Sequence, residues 1–200
     1  MINSLTYKNK LIYSRTLAYT ITSPIDTVRQ NMLVQRNITR PKLVNGFVYA
    51  SGMTVTLSNI CYGLIGTTNA NIMRSLIIGL FFMNFISTPL IYNYKRVVTG
   101  LPMEIINIGR NKKLFILSLL DDIMEEGLKY FLSTKFPSSP YRNKLIDTLL
   151  IILFTYPTDI IKNRITYNSS LTITQWDPII KVSHKFIQTY LFFKIFNSFQ

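Results

Sequence analysis

Cysteine and histidine are almost missing from this chain of 200 residues, with one of each, Cys61 and His184. That excludes a disulfide framework and any metal centre built from clustered Cys and His. Acid is scarce as well. The chain has 9 Asp+Glu against 22 Lys+Arg, a formal net charge of +13, and only 16% charged residues, where an average soluble domain has roughly 25%. No Gly-x-Gly-x-x-Gly and no phosphate-loop lysine motif occurs, so the glycine-rich cradles used by nucleotide enzymes are not available. The opening stretch, Met1 to Lys10, has neither a long apolar core with a cleavage site nor the arginine-rich pattern of a transit peptide, so no address is expected there.

What is present is apolar. Hydrophobic residues make up 48% of the chain and its mean hydropathy is +0.23. A net charge of +13 on a polar chain would point to nucleic acid. On an apolar one it points to a membrane protein whose cations sit in links and interfaces, with no nucleic-acid partner. Leu43 to Met73 is uncharged for 31 positions, and Ser75 to Tyr94 for another 20. Both exceed the roughly 20 apolar residues that cross a bilayer as helix. Leu145 to Ile161 is interrupted only by Asp147 and Asp159, and weaker candidates are Leu11 to Val28, Leu114 to Leu132 and Ile179 to Phe199. The last contains Lys181, Lys185 and Lys194 and reads as amphipathic, with its charges facing water, headgroups or a partner.

Three segments align on a proline. They are Ile21-Thr22-Ser23-Pro24-Ile25-Asp26-Thr27-Val28-Arg29, Ile86-Ser87-Thr88-Pro89-Leu90-Ile91-Tyr92-Asn93-Tyr94 and Phe154-Thr155-Tyr156-Pro157-Thr158-Asp159-Ile160-Ile161-Lys162. The prolines lie 65 and 68 residues apart. In the first and third copies an acid follows Pro by two positions and a base by five, which places the two on neighbouring positions of one helix face. The second copy keeps the proline but has Ile91 and Tyr94 at those positions.

This pattern resembles the mitochondrial carrier family, whose three tandem repeats each carry Pro-x-Asp/Glu-x-x-Lys/Arg on the odd-numbered helix. The resemblance covers the whole chain as units of roughly 1–66, 70–134 and 142–200. It implies an all-α membrane bundle of about six transmembrane helices in three pseudo-repeats, as a single domain over 1–200, with Pro24, Pro89 and Pro157 kinking the odd helices and the family's short matrix helices reduced or lost. The distribution of cations agrees with that topology: eleven Lys/Arg follow the odd helices and four, Arg74, Lys135, Arg142 and Lys144, follow the even ones. The positive-inside bias then puts the odd-to-even links on the matrix side. The resemblance also implies a multi-pass protein of the mitochondrial inner membrane with anionic lipid, such as cardiolipin, at its cations.

In the family, the acid of one repeat pairs with the base of the next, closing the matrix side. Carried over, Asp159 meets Arg29, whereas Asp26 faces Tyr94 and Lys162 faces Ile91, so one pair of three is expected to survive. The position nine after each proline, often a bracing Gln in the family, holds Leu33, Val98 and Thr166. A separate feature is the stripe Asp121, Asp122, Glu125 and Glu126, on one helix face. It marks either a polar cavity suited to a cation or, the favoured reading, an interface or a contact with a basic partner subunit. Nothing here assembles an enzyme: two carboxylates could act as acid and base, but neither Cys nor His stands nearby. Cofactor and metal sites are not expected, and His184 receives no role. Trp176, Tyr167 and Tyr190 read as interface anchors, and Cys61 as buried packing.

Two functions follow. The incomplete ring favours a non-transporting accessory subunit of a larger inner-membrane complex, a respiratory complex or ATP synthase, with a plugged centre. The alternative is a minimal solute carrier exchanging a small metabolite or nucleotide, with a polar cavity.

Overall fold

A computed structural model of the chain folds as six α-helices with no strand among the described residues: α1 (Ile2–Leu33), α2 (Arg40–Gly66), α3 (Ile72–Val98), α4 (Ile108–Lys135), α5 (Pro140–Tyr167) and α6 (Trp176–Ser198). The backbone is described for residues 2–66, 72–135, 140–168 and 171–198. Side chains are described for most of these, the main exceptions being 2–8, 60–66, 72–80, 132–135 and 140–147. Cys61, Arg74, Lys135, Arg142 and Lys144, and the side chain of Glu126, lie outside that set.

Each helix packs on its neighbour in the chain and α6 packs back on α1, closing a ring; α1 also meets α3, and α3 meets α5. The fold is therefore all-helical with six helices. Among the described residues no helix is long and apolar enough to cross a membrane; the spans expected at 43–73 and 75–94 fall in part on residues outside that set. The described helices are two-faced. Among the buried residues described, polar side chains outnumber apolar ones by 19 to 11. The exposed side of every helix meanwhile carries large apolar residues, for example Tyr13, Leu17 and Ile21 on α1, Phe85 on α3, Ile116, Leu120 and Ile123 on α4, and Leu153 on α5.

Many of the inward polar groups satisfy themselves on their own helix. The hydroxyls of Thr22, Thr54, Thr88, Thr99 and Thr166 each donate to the carbonyl four residues back. Pro24, Pro89 and Pro157 all lie inside their helices. A proline cannot donate to the carbonyl four residues earlier, and at Pro24 that carbonyl, of Thr20, accepts from Ser23 Oγ at 2.9 Å.

The three odd helices end alike. Gln35 (φ 52°), Gly100 (φ 74°) and Asn168 (φ 50°) adopt the left-handed conformation, and each stands eleven residues after its proline. At α3 the amides of Gly100 and Leu101 bond back to Val97 and Arg96 at 3.0 and 2.8 Å, and at α1 those of Gln35 and Arg36 bond to Met32 and Asn31 at 3.2 and 2.9 Å. This is the left-handed stop that favours glycine. The links that follow contain no helix among the described residues. In the α3–α4 link, Glu104 is clamped by Arg96 (3.1 Å), Arg110 (3.2 Å) and the Tyr92 hydroxyl, which donates to it. That hydroxyl first, and the two guanidiniums after it, hold the Glu104 carboxyl below its ordinary range.

A small apolar core sits where α1, α2 and α3 meet, built from Ala50, Met53, Tyr94 and Val98. Gly46 of α2 makes the close approach possible: a β-carbon there would stand 2.6 Å from Thr27 Oγ1 and 3.0 Å from Val98 Cγ1, while Gly52 has open space. Gly46→Val is expected to lower stability by about 1–3 kcal/mol through overpacking, with Gly52→Val close to neutral. Thermal unfolding of the two variants measures this, and equal effects would contradict the packing assignment.

Candidate functional site

The inward polar residues surround a cavity of ≈ 320 Å³, bounded among the described residues by α1, α3, α4, α5 and α6. Its lining carries five carboxylates, Asp26, Asp121, Asp122, Glu125 and Asp159, and five cations, Arg29, Lys95, Lys162, Lys181 and Lys185. Their helical positions explain the convergence. Residues two, five and six after each proline share the inner face of an odd helix, and α4 and α6 enter the ring with Asp121, Asp122 and Lys181 on theirs.

Asp159 of α5 is the centre of the ionic ring. Its Oδ2 accepts from Arg29 Nη2 at 2.7 Å and lies 3.3 Å from Lys181 Nζ, while its Oδ1 is 3.6 Å from Lys95 Nζ. One carboxylate thus draws together α1, α3 and α6. Arg29 uses two further donors on Asp177, with Nε to Oδ1 at 2.8 Å and Nη2 to Oδ2 at 3.0 Å, and the Tyr156 hydroxyl donates to the same Asp177 at 2.9 Å. These groups are nearly excluded from solvent: the Arg29 and Asp177 side chains are each 4% exposed. In such surroundings a charge is tolerated only with partners, and every charge in this cluster has one.

The pair Arg29–Asp159 expected from the repeat pattern is present. Asp26 makes no ion pair among the described residues and accepts from Gln30 Nε2 at 3.2 Å. Lys162, expected to stand alone opposite Ile91, corrects that expectation. It pairs with Asp121 of α4, to which Thr158 also donates. The acid missing from the second odd helix is thus supplied by the even helix that follows it. Next to Tyr94, Lys95 supplies a base, though not to Asp26: it donates to Asn163 Oδ1 at 2.5 Å and lies 3.6 Å from Asp159.

The described part of the carboxylate stripe faces the cavity, against the favoured expectation of an outer interface. Asp121 is buried, and it lines the cavity together with Asp122 and Glu125. Asp122 accepts from Asn84 at 2.6 Å. Lys181 and His184 of α6 also point inward and are buried, whereas the expectation was charges facing outward and no role for the histidine. Tyr167 is no interface anchor: it is buried, and its hydroxyl donates to Gln30 Oε1 at 2.9 Å and the Lys95 carbonyl at 3.1 Å, while Trp176 and Tyr190 are exposed. Sequence reasoning missed Lys95, Asn163, Asp177 and Tyr156. The signal for two of them was available, since Gln30, Lys95 and Asn163 all stand six residues after a proline.

Compared with known proteins, the chain matches no family model, no curated protein and no solved structure.

Removing the central carboxylate strands several buried cations. Asp159→Asn is expected to cost about 3–5 kcal/mol, the usual effect of breaking a buried pair from one side. Asp26→Asn, which keeps an acceptor oxygen for Gln30 and breaks no ion pair among the described residues, should cost about 1 kcal/mol or less. Unfolding midpoints of the two variants check the ranking, and equal losses would refute the central position of Asp159.

Proposed function

We propose that the chain is a membrane-embedded, mitochondrial-carrier-like transporter of a small polar solute, which occupies the central cavity. The observation that carries this reading is the pairing of that cavity with an ionic ring on its wall, in which the acid lost at Ile91 is replaced by Asp121 as the partner of Lys162, and Lys95 adds a contact to Asp159. An ordered, partnered ring across α1, α3, α4, α5 and α6 is what a closable passage needs, and a plugged structural bundle has no use for it.

The membrane part of the reading is supported by the inverted distribution of polarity, with apolar side chains outward and polar ones inward. A soluble chain seldom leaves large contiguous apolar surface uncovered. The excess of cations between odd and even helices supports the matrix-side orientation in this reading, with anionic lipid such as cardiolipin as their partner.

A second reading, the non-transporting subunit of a larger inner-membrane complex, is favoured by one observation. Arg29 is tied to Asp177 by two bonds in addition to Asp159, a lock that a passage opening in every cycle has to break. Reconstitution separates the two. On the transporter reading, the purified chain resists alkaline extraction from membranes and exchanges labelled small solutes across liposomes, and Asp159→Asn loses at least tenfold in rate. Comigration with a large complex in mild detergent without any exchange would replace it with the subunit reading.

A further inference from the structure

The six helices do not hold one another in the same way. Among the described residues, α1 packs most closely on α6 and α2, and α2 on α3. The apolar core of Ala50, Met53, Tyr94 and Val98 lies within this set. Two bonds from Arg29 tie α1 to Asp177 of α6, and the link before α6 is pinned to the end of α1, where the Thr172 amide donates to the Leu33 carbonyl at 3.0 Å. Helices α4 and α5 form a second set, held together by Lys162 and Thr158 of α5 on Asp121 of α4.

The contacts of α5 with the first set are polar. Asp159 reaches Arg29, Lys181 and Lys95 at 2.7, 3.3 and 3.6 Å, and all three belong to that set. Tyr156 donates to Asp177 at 2.9 Å, and Lys181 Nζ stands 5.5 Å from the centre of its ring. Asn163 accepts from Lys95, and Tyr167 donates to Gln30 and to the Lys95 carbonyl. The α3–α4 side carries more. There Glu104 is clamped between Arg96 and Arg110, and the rings of Phe81 and Phe115 meet edge-on at 4.9 Å. Among the described residues α5 and α6 pack least of all neighbouring pairs.

These two kinds of contact differ in what separation costs. Parting apolar surfaces costs free energy in proportion to the area exposed. Charges released from a buried pair regain their hydration, which offsets much of the lost attraction, provided that water reaches both partners. The seam meets that condition, because the cavity has Asp26 and Lys181 on its wall from the first set, and Ser118 and Asp159 from the second.

Resting on the transporter reading, we propose that the bundle moves as two rigid units, α6–α1–α2–α3 and α4–α5, which part at the α5–α6 seam and pivot on the α3–α4 side. Asp159 is the latch, since its three ionic contacts all cross the seam. The Arg29–Asp177 bonds lie inside the larger unit and stay closed, so opening leaves that lock intact. The threefold repetition of the sequence is then not a threefold repetition of movement.

Spin-label distances in the full chain, reconstituted in liposomes on a Cys61→Ser background, test this with three pairs of exposed positions. Leu153→Cys with Ile187→Cys spans the seam. Leu17→Cys with Ile187→Cys lies within the larger unit, and Leu120→Cys with Leu153→Cys within the smaller. Asp159→Asn is expected to lengthen the spanning distance by about 5 Å or more, the scale of a one-turn displacement between packed helices, and to leave the other two unchanged. Should that variant fail to fold, Lys181→Met combined with Tyr156→Phe releases part of the seam while Asp159 keeps Arg29, and the same direction of change is expected. A lengthening within the larger unit as great as across the seam overturns the assignment, and so do three unchanged distances. Solute exchange is scored separately. Exchange with no selective lengthening removes the two-unit inference and leaves the transporter reading standing, whereas selective lengthening without exchange of any solute does the reverse.

Discussion

The Asp159 carboxylate is the constraint on which this structure depends. In a bundle whose interior is more polar than its exterior, apolar burial supplies less cohesion than usual, and the helix ends must be held by something directional. Asp159 does so for three helices at once, and Arg29 extends the hold to the first turn of α6 through Asp177. Low local dielectric makes such contacts strong when complete and costly when partial, which explains why every charge around Asp159 has a partner.

Much of this was legible in the sequence. Six helices, three prolines at near-equal spacing and the contact of Arg29 with Asp159 all followed from reading position relative to proline. What was not legible has a common cause: a repeat pattern constrains equivalent positions on the odd helices and is silent about substitution between helices. The acid lost at Ile91 is replaced by Asp121, in a different helix and 30 positions on, so its stripe looked like a surface feature. A helical stripe has a face but no sign that says inward or outward. Lys181, Asp177 and Tyr167 were hidden for the same reason, since burying them becomes affordable only through partners far away in the chain.

The reading of the cations changed as well. An excess of +13 remains a property of the chain, carried by cations outside the cavity, while the described cavity lining is balanced. The two populations answer to different surroundings: exposed cations such as Arg40, Lys112 and Arg164 to whatever lies outside the bundle, buried ones to specific carboxylates. Counting charge over the whole chain merges the two and overstates how anionic a guest the interior would take.

The left-handed residues that end the odd helices have a consequence for how this architecture can vary. Gln35, Gly100 and Asn168 stop their helices at a fixed distance from the prolines, although the links beyond differ in length and composition. The ring residues lie between proline and stop, inside a segment whose phase is fixed at both ends. Insertions or deletions in the links therefore leave the rotational phase of the charged face untouched. The loops of such a bundle are free to shrink, down to the short ones seen here, while the geometry around Asp159 stays as it is.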